Sequence, residues 1–188
     1  MQRWGRSSSN ICTLCNCVQA NKHVLSNCSG PLARYTRRHN TILKCLTDYL
    51  ISVLLSSTTL YSDLPGSIPI QTLFSSLRPE IAICSNNKII ALELTICHES
   101  NFEAAKSRKL LKYKDLKSNL KSTFSNYQLV TETIEVSVLG FIVGVKPLKS
   151  LLKINNIPVS LLNKLTTSAI DCSRRIYCDR NILEDSDR

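Results

Sequence analysis

With 188 residues and 43% apolar content, the chain can bury a core and is too apolar to be disordered throughout. A net charge of +10 and a pI near 9.3 point to a polyanion partner, with nucleic acid ahead of an acidic membrane surface. The longest apolar run, 49–55, is too short to span a bilayer, so no membrane role is expected.

The opening MQRWGRSSSN lacks the apolar stretch of a signal peptide, and nine cysteines are an odd number for a disulfide scaffold. A reducing compartment with some thiols used for metal is the expectation. The segment ICTLCNCVQANKHVLSNC contains Cys12, Cys15, His23 and Cys28 in the pattern C-x2-C-x7-H-x4-C. Three thiolates and an imidazole close a tetrahedral zinc site and leave no open position, so such a site is structural. A module this small depends on its metal to fold. Cys17 is a spare, and the alternative is a cysteine-rich loop without metal.

Next comes RYTRRHN, with Arg34, Arg37, Arg38 and His39. From His39 the positions Ile42, Leu43, Cys45, Leu46, Tyr49, Leu50, Val53 and Leu54 follow helical spacing and predict a helix over 39–56. SDLPGSIP reads as a turn-rich connection. In RPEIAICSNNKIIALELT, strands are predicted over 80–84 and 89–95 around the turn SNNK, with Asn86 and Asn87 at its tip. That turn pairs Ser85 with Lys88, Cys84 with Ile89, Ala82 with Ala91, and Glu80 with Glu93. The two glutamates are then cross-strand neighbours on one face, while Ile81, Ile83, Ile90, Leu92 and Leu94 form the core face. Like charges placed opposite each other destabilise a sheet. The pair makes sense around a divalent cation, with Mg²⁺ or Mn²⁺ suited to hard oxygen ligands, or around a shared proton. The alternative is a solvated edge hairpin.

A helix over 101–122 follows. Phe102, Ala105, Tyr113, Leu116 and Leu120 form its apolar stripe, with Lys109 in the middle and Leu111 pointing away. A lysine on a buried face needs an anionic partner, and the glutamate pair provides one. Lys106 and Lys112 flank the stripe and are expected to extend to water. They belong to a basic cluster with Arg108, Lys114, Lys117 and Lys121 that favours phosphate contact. Two carboxylates and a lysine on a basic protein make a phosphodiesterase constellation. The stretch 129–138 alternates as a strand, with Glu135 able to approach the site but expected to face solvent, and helices over 146–154 and 159–178 close the chain.

Taken together these residues resemble the restriction-like endonuclease of non-LTR retrotransposons, a branch of the PD-(D/E)XK nucleases, over about 12–181. The Cys-His pattern is similar to the zinc knuckle that precedes that nuclease. RYTRRHN resembles its basic R-H-D motif at Arg38 and His39. RPE, twelve residues, then ELT resembles its R-P-D…(D/E)-x-T at Glu80 and Glu93, and KLLKY its helical lysine-to-tyrosine motif at Lys109 and Tyr113. The family's aspartates are Glu80 and Asn40 here.

The resemblance implies an α/β fold with a restriction-endonuclease-like mixed sheet flanked by helices. It implies a zinc knuckle and leader over 1–33, a nuclease domain over 34–181 and a tail over 182–188. It further implies a nuclear, Mg²⁺- or Mn²⁺-dependent endonuclease that nicks DNA to prime reverse transcription as part of a larger reverse transcriptase polyprotein. In that reading Glu80, Glu93, Lys109 and Tyr113 are catalytic, Glu80 and Glu93 hold the metal, and Arg34, Arg37, Arg38, His39, Lys106 and Lys112 contact DNA or RNA. The alternatives are a nucleic-acid-binding module that has lost cutting, and an interaction protein on the same fold.

Overall fold

The computed structural model describes residues 11–12, 14–17, 23–30, 32–54, 56–67, 77–85, 87–123, 128–145, 148–149 and 156–179, with 119–123 as backbone alone. Helix α1 (Leu32–Val53) starts inside the basic stretch rather than at His39. Nothing in ARYTRRHN breaks a helix, and Pro31 just ahead of it suits a first turn. Strand β1 (Thr59–Ser62) was not foreseen, because four residues are too few to show a period.

Strands β2 (Ile81–Ser85) and β3 (Lys88–Cys97) form the expected hairpin. Their register is Ser85 with Lys88, Cys84 with Ile89, Ala82 with Ala91 and Ile81 with Leu92. Glu80 lies one residue before the ladder, and its carbonyl accepts from the Asp63 amide at 2.8 Å. The hairpin is not an edge: β1 pairs with β2, and β3 runs parallel to β4 (Gln128–Ser137). A short strand, β5 (Ile142–Val143), completes a five-stranded mixed sheet in the order β1-β2-β3-β4-β5. Gly140, at φ +94°, serves the turn between β4 and β5, and Gly144, at φ +82° just after β5, lies where a Cβ would sit 2.2 Å from the Thr133 carbonyl oxygen.

The helix expected over 101–122 is two helices, α2 (Phe102–Lys112) and α3 (Lys114–Thr123), with a break at Tyr113. No glycine or proline marks the break. Tyr113 leaves the helical conformation (φ −101°, ψ 3°) while its side chain is buried against the sheet. Helix α4 (Val159–Cys178) matches its expected span, whereas the helix predicted over 146–154 lies largely outside the described residues.

Helices pack on both faces of the sheet. On one face, Ile42, Leu46 and Leu50 of α1 and Leu161, Leu165 and Ala169 of α4 meet Ile81, Ile83, Ile90, Leu92, Ile134 and Val136. On the other, Tyr113 and Leu116 cover Ala82, Ile89, Ala91 and Leu129 beside Tyr61. The glutamate face is therefore covered, not solvated. No helix among the described residues is long and apolar enough to cross a membrane.

Candidate functional site

Glu93 stands in the middle of β3, paired with Thr133 of β4 one residue beyond the β2 ladder, and is 2% exposed. A carboxylate in such a place needs partners for both oxygens. Its Oε1 accepts from the Tyr113 hydroxyl and from Lys112 Nζ at 3.2 Å; its Oε2 accepts from Lys109 Nζ at 2.5 Å. Glu80 accepts from the same Lys109 amine at Oε1, at 2.8 Å, and its Oε2 faces His39 Nε2 at 3.2 Å. One ammonium thus bridges the two acids, as the place of Lys109 in the apolar stripe predicts.

Burial pushes the Glu80 carboxyl up, but His39 and Lys109 outweigh it and hold the group at about 2. Burial likewise works against the charged forms of Lys109 and His39, yet their carboxylate partners leave both pKa values raised. Tyr113 is pushed up by burial first and by Glu93 second, so it stays protonated and serves as a donor.

Two residues have larger roles than the sequence suggested. His39 was expected to contact phosphate; it turns instead to Glu80, with Nδ1 at 3.3 Å from Asn40 Oδ1. Lys112, expected to reach water, spans from Glu93 to the Arg78 carbonyl oxygen, 2.9 Å away. Neither pairing had a local sequence signal, because both depend on how helices cross the sheet. A third residue, Glu135, is a correction: it is 2% exposed rather than solvated. It pairs in register with Thr95 and lies on the same face as Glu93. Glu135 Oε1 and Thr95 Oγ1 are buried without a hydrogen-bond partner among the described residues.

The Glu80–His39 pair carries a pH signature. A histidine whose pKa is raised in the fold contributes stability that is complete below about 6.5 and is lost as pH rises through the raised value. A depressed carboxyl contributes stability that is present above about 4.5 and is lost as pH falls towards its folded value. Thermal melts between pH 6 and 8 are expected to show a midpoint that declines with pH, and His39→Gln should flatten the decline. An unchanged slope in the variant would mean that the pair is not coupled to folding.

The second centre is at the N-terminal side. Donor atoms of Cys12, Cys15, His23 and Cys28 all lie within 4.8 Å of one another. Cys12 and Cys28 Sγ are 3.7 Å apart, and Cys15 Sγ is 3.0 Å from His23 Nε2. Tetrahedral zinc with bonds of about 2.3 Å sets its sulfurs about 3.8 Å apart, so the residues fit a zinc ion. A turn closed by the Asn16 amide on the Cys12 carbonyl, 2.8 Å, shapes the first two ligands. The backbone at Cys17 holds the Cys15 thiol down to about 6, while burial pushes Cys28 up to about 12. Cys17 is exposed and outside the cluster. Gly30 closes the unit: a Cβ there would come within 2.6 Å of Leu14 Cβ.

The basic residues fall into two groups. Lys106, Arg108, Lys112, Lys114 and Lys117 are on the open side of α2 and α3, and Arg37 is exposed on α1. Arg34 and Arg38 are 4% and 2% exposed, so they do not form the basic surface expected of them. Arg34 Nη1 donates to the Asp179 carbonyl at 2.6 Å, and Arg38 Nη1 to Ser173 Oγ at 3.0 Å, both on the α4 side.

Fold and sites together define a mixed α/β protein with a Cys/His cluster able to hold zinc and an acid pair bridged by lysine. No protein-family model matches the chain, and no curated protein matches it.

Proposed function

We propose that the protein is a metal-dependent phosphodiesterase that nicks DNA, built like the restriction-like endonucleases of non-LTR retrotransposons and working in the nucleus. The observation that carries this reading is the convergence of Glu80, Glu93 and Lys109, drawn from a strand's entry, a central strand and a crossing helix. Both acids offer the hard oxygens that Mg²⁺ and Mn²⁺ take, and the two oxygens that share Lys109 face each other across its amine. These residues fit a divalent ion provided that Lys109 yields its place between them. Bound there, such an ion would supply a water of lowered pKa and charge to offset that of a phosphate.

The protein's own groups have separable parts. Tyr113 and Lys112 fix the orientation of Glu93, and His39 fixes Glu80. Lys109 carries a positive charge that a phosphodiester would meet as well as the acids do. The exposed lysines of α2 and α3 would position the backbone without reading sequence.

A second reading, a nucleic-acid-binding module without cutting, is favoured by one specific fact. All four carboxylate oxygens of Glu80 and Glu93 already have protein donors or a cationic partner. Nicking of supercoiled plasmid with Mg²⁺ or Mn²⁺ separates the two. Cutting by wild type, lost by about a thousandfold or more in Lys109→Ala and Glu93→Ala, is the expected result. DNA binding without cutting, unaffected by either substitution, would leave only the second reading.

A further inference from the structure

The cleft between α1 and α4 has a volume of about 360 Å³ and is lined by Arg34, Arg37, Arg38, Arg175, Asp171 and Asp179, among others. Among the described residues, four guanidiniums and two carboxylates line it. The deepest of them, Arg38, is 2% exposed. Its Nη1 donates to a neutral hydroxyl, its guanidinium lies over the Tyr35 ring at 5.2 Å, and its Nε has no hydrogen-bond partner. Arg38 forms no ion pair among the described residues. Burial lowers its pKa, the mark of a cation whose water is not replaced by an anion. Holding a guanidinium this way is costly unless something else pairs with it.

We propose that this cleft receives a phosphate monoester, the kind of group that ends a nucleic-acid strand or a nucleotide. A monoester offers three terminal oxygens and carries close to two negative charges at neutral pH, whereas an internal phosphodiester offers two and carries one. Planar guanidinium forks bind its oxygens in pairs, and a cleft of this size lies within the range of small-ligand pockets. His39, next to Arg38 in sequence, faces Glu80 instead, so the cleft uses a different side of α1 from the carboxylate site. The inference stands whether or not the protein cuts DNA.

The test uses the full, zinc-loaded chain without added Mg²⁺ or Mn²⁺, so that no cutting intervenes. Fluorescence anisotropy compares one single-stranded oligonucleotide with a 5′-phosphate and with a 5′-hydroxyl. The phosphorylated strand is expected to bind about tenfold more tightly. Arg38→Met should remove that preference. Because Arg38 is buried, Arg175→Glu at the exposed rim is the second variant, and it should weaken the preference with an unchanged melting curve. Competition then distinguishes the source: inorganic phosphate that abolishes the preference assigns the cleft to the phosphate group alone. Competition by a nucleoside 5′-monophosphate but not by inorganic phosphate assigns it to the phosphate with its sugar. Equal affinity for the two strand ends, or a preference that survives both substitutions, overturns the proposal.

Discussion

Lys109→Met is expected to destabilise the protein by about 3–5 kcal/mol at neutral pH, the range seen when one partner of a buried ion pair is removed. Methionine keeps most of the apolar stem, so the cost comes from the charge. Without the amine, Glu80 and Glu93 face each other with only His39, Lys112 and Tyr113 to compensate. Glu80 then loses the part of its lowered pKa that Lys109 supplies and keeps the larger part that His39 supplies, so it should take up a proton at a higher pH than in wild type. The penalty should shrink as pH falls, and adding Glu80→Gln should recover part of it. Equilibrium urea unfolding measures each step. Mg²⁺ or Mn²⁺ should raise the midpoint of Lys109→Met more than that of wild type, because ion and amine compete for one place. A cost below about 1 kcal/mol would mean that the lysine adds no more than a surface pair.

Zinc removal is expected to have the larger effect. Purified protein should carry about one zinc, and apparent binding free energies for such sites are of order 10 kcal/mol. The cluster is tied to the rest of the protein through Tyr35, whose hydroxyl donates to the Val24 carbonyl at 2.6 Å and accepts from the Cys28 amide at 3.2 Å. Chelation should therefore lower amide protection beyond the cluster, in the first turns of α1 and the end of α4, as read by hydrogen exchange. Cys28→Ser should reproduce the loss and Cys17→Ser should not. Full protection after chelation, with no bound zinc in the starting protein, would remove the metal from the account.

The sequence exposed those features whose cause is local. The SNNK turn determines the hairpin register, because a one-residue slip would turn Ile81, Ile83 and Ile90 away from α1 and α4. The ligand spacing of Cys12, Cys15, His23 and Cys28 is likewise a property of one short segment. Lys109 was legible because it interrupts an apolar stripe. What was hidden depends on tertiary packing. The break at Tyr113 has no breaker residue behind it; the hydroxyl's bond to Glu93 is what the break accompanies. Arg34 and Arg38 look like surface charge in a string of basic residues, and only the docking of α4 buries them. Glu135 alternates correctly for a half-exposed strand, but β5 pairs alongside it, Gly144 lies close to its carboxylate and α2 packs against β4.

The parallel pairing of β3 with β4 has a consequence for the order in which the chain assembles. The β2–β3 hairpin joins residues close in sequence, while the lysine that neutralises its acids sits within the crossover between β3 and β4. A hairpin alone brings Glu80 and Glu93 together with no compensating charge, so it is penalised until the crossover docks. Local structure formed early is thus held back until the distant part arrives, and the two halves fold as one cooperative unit.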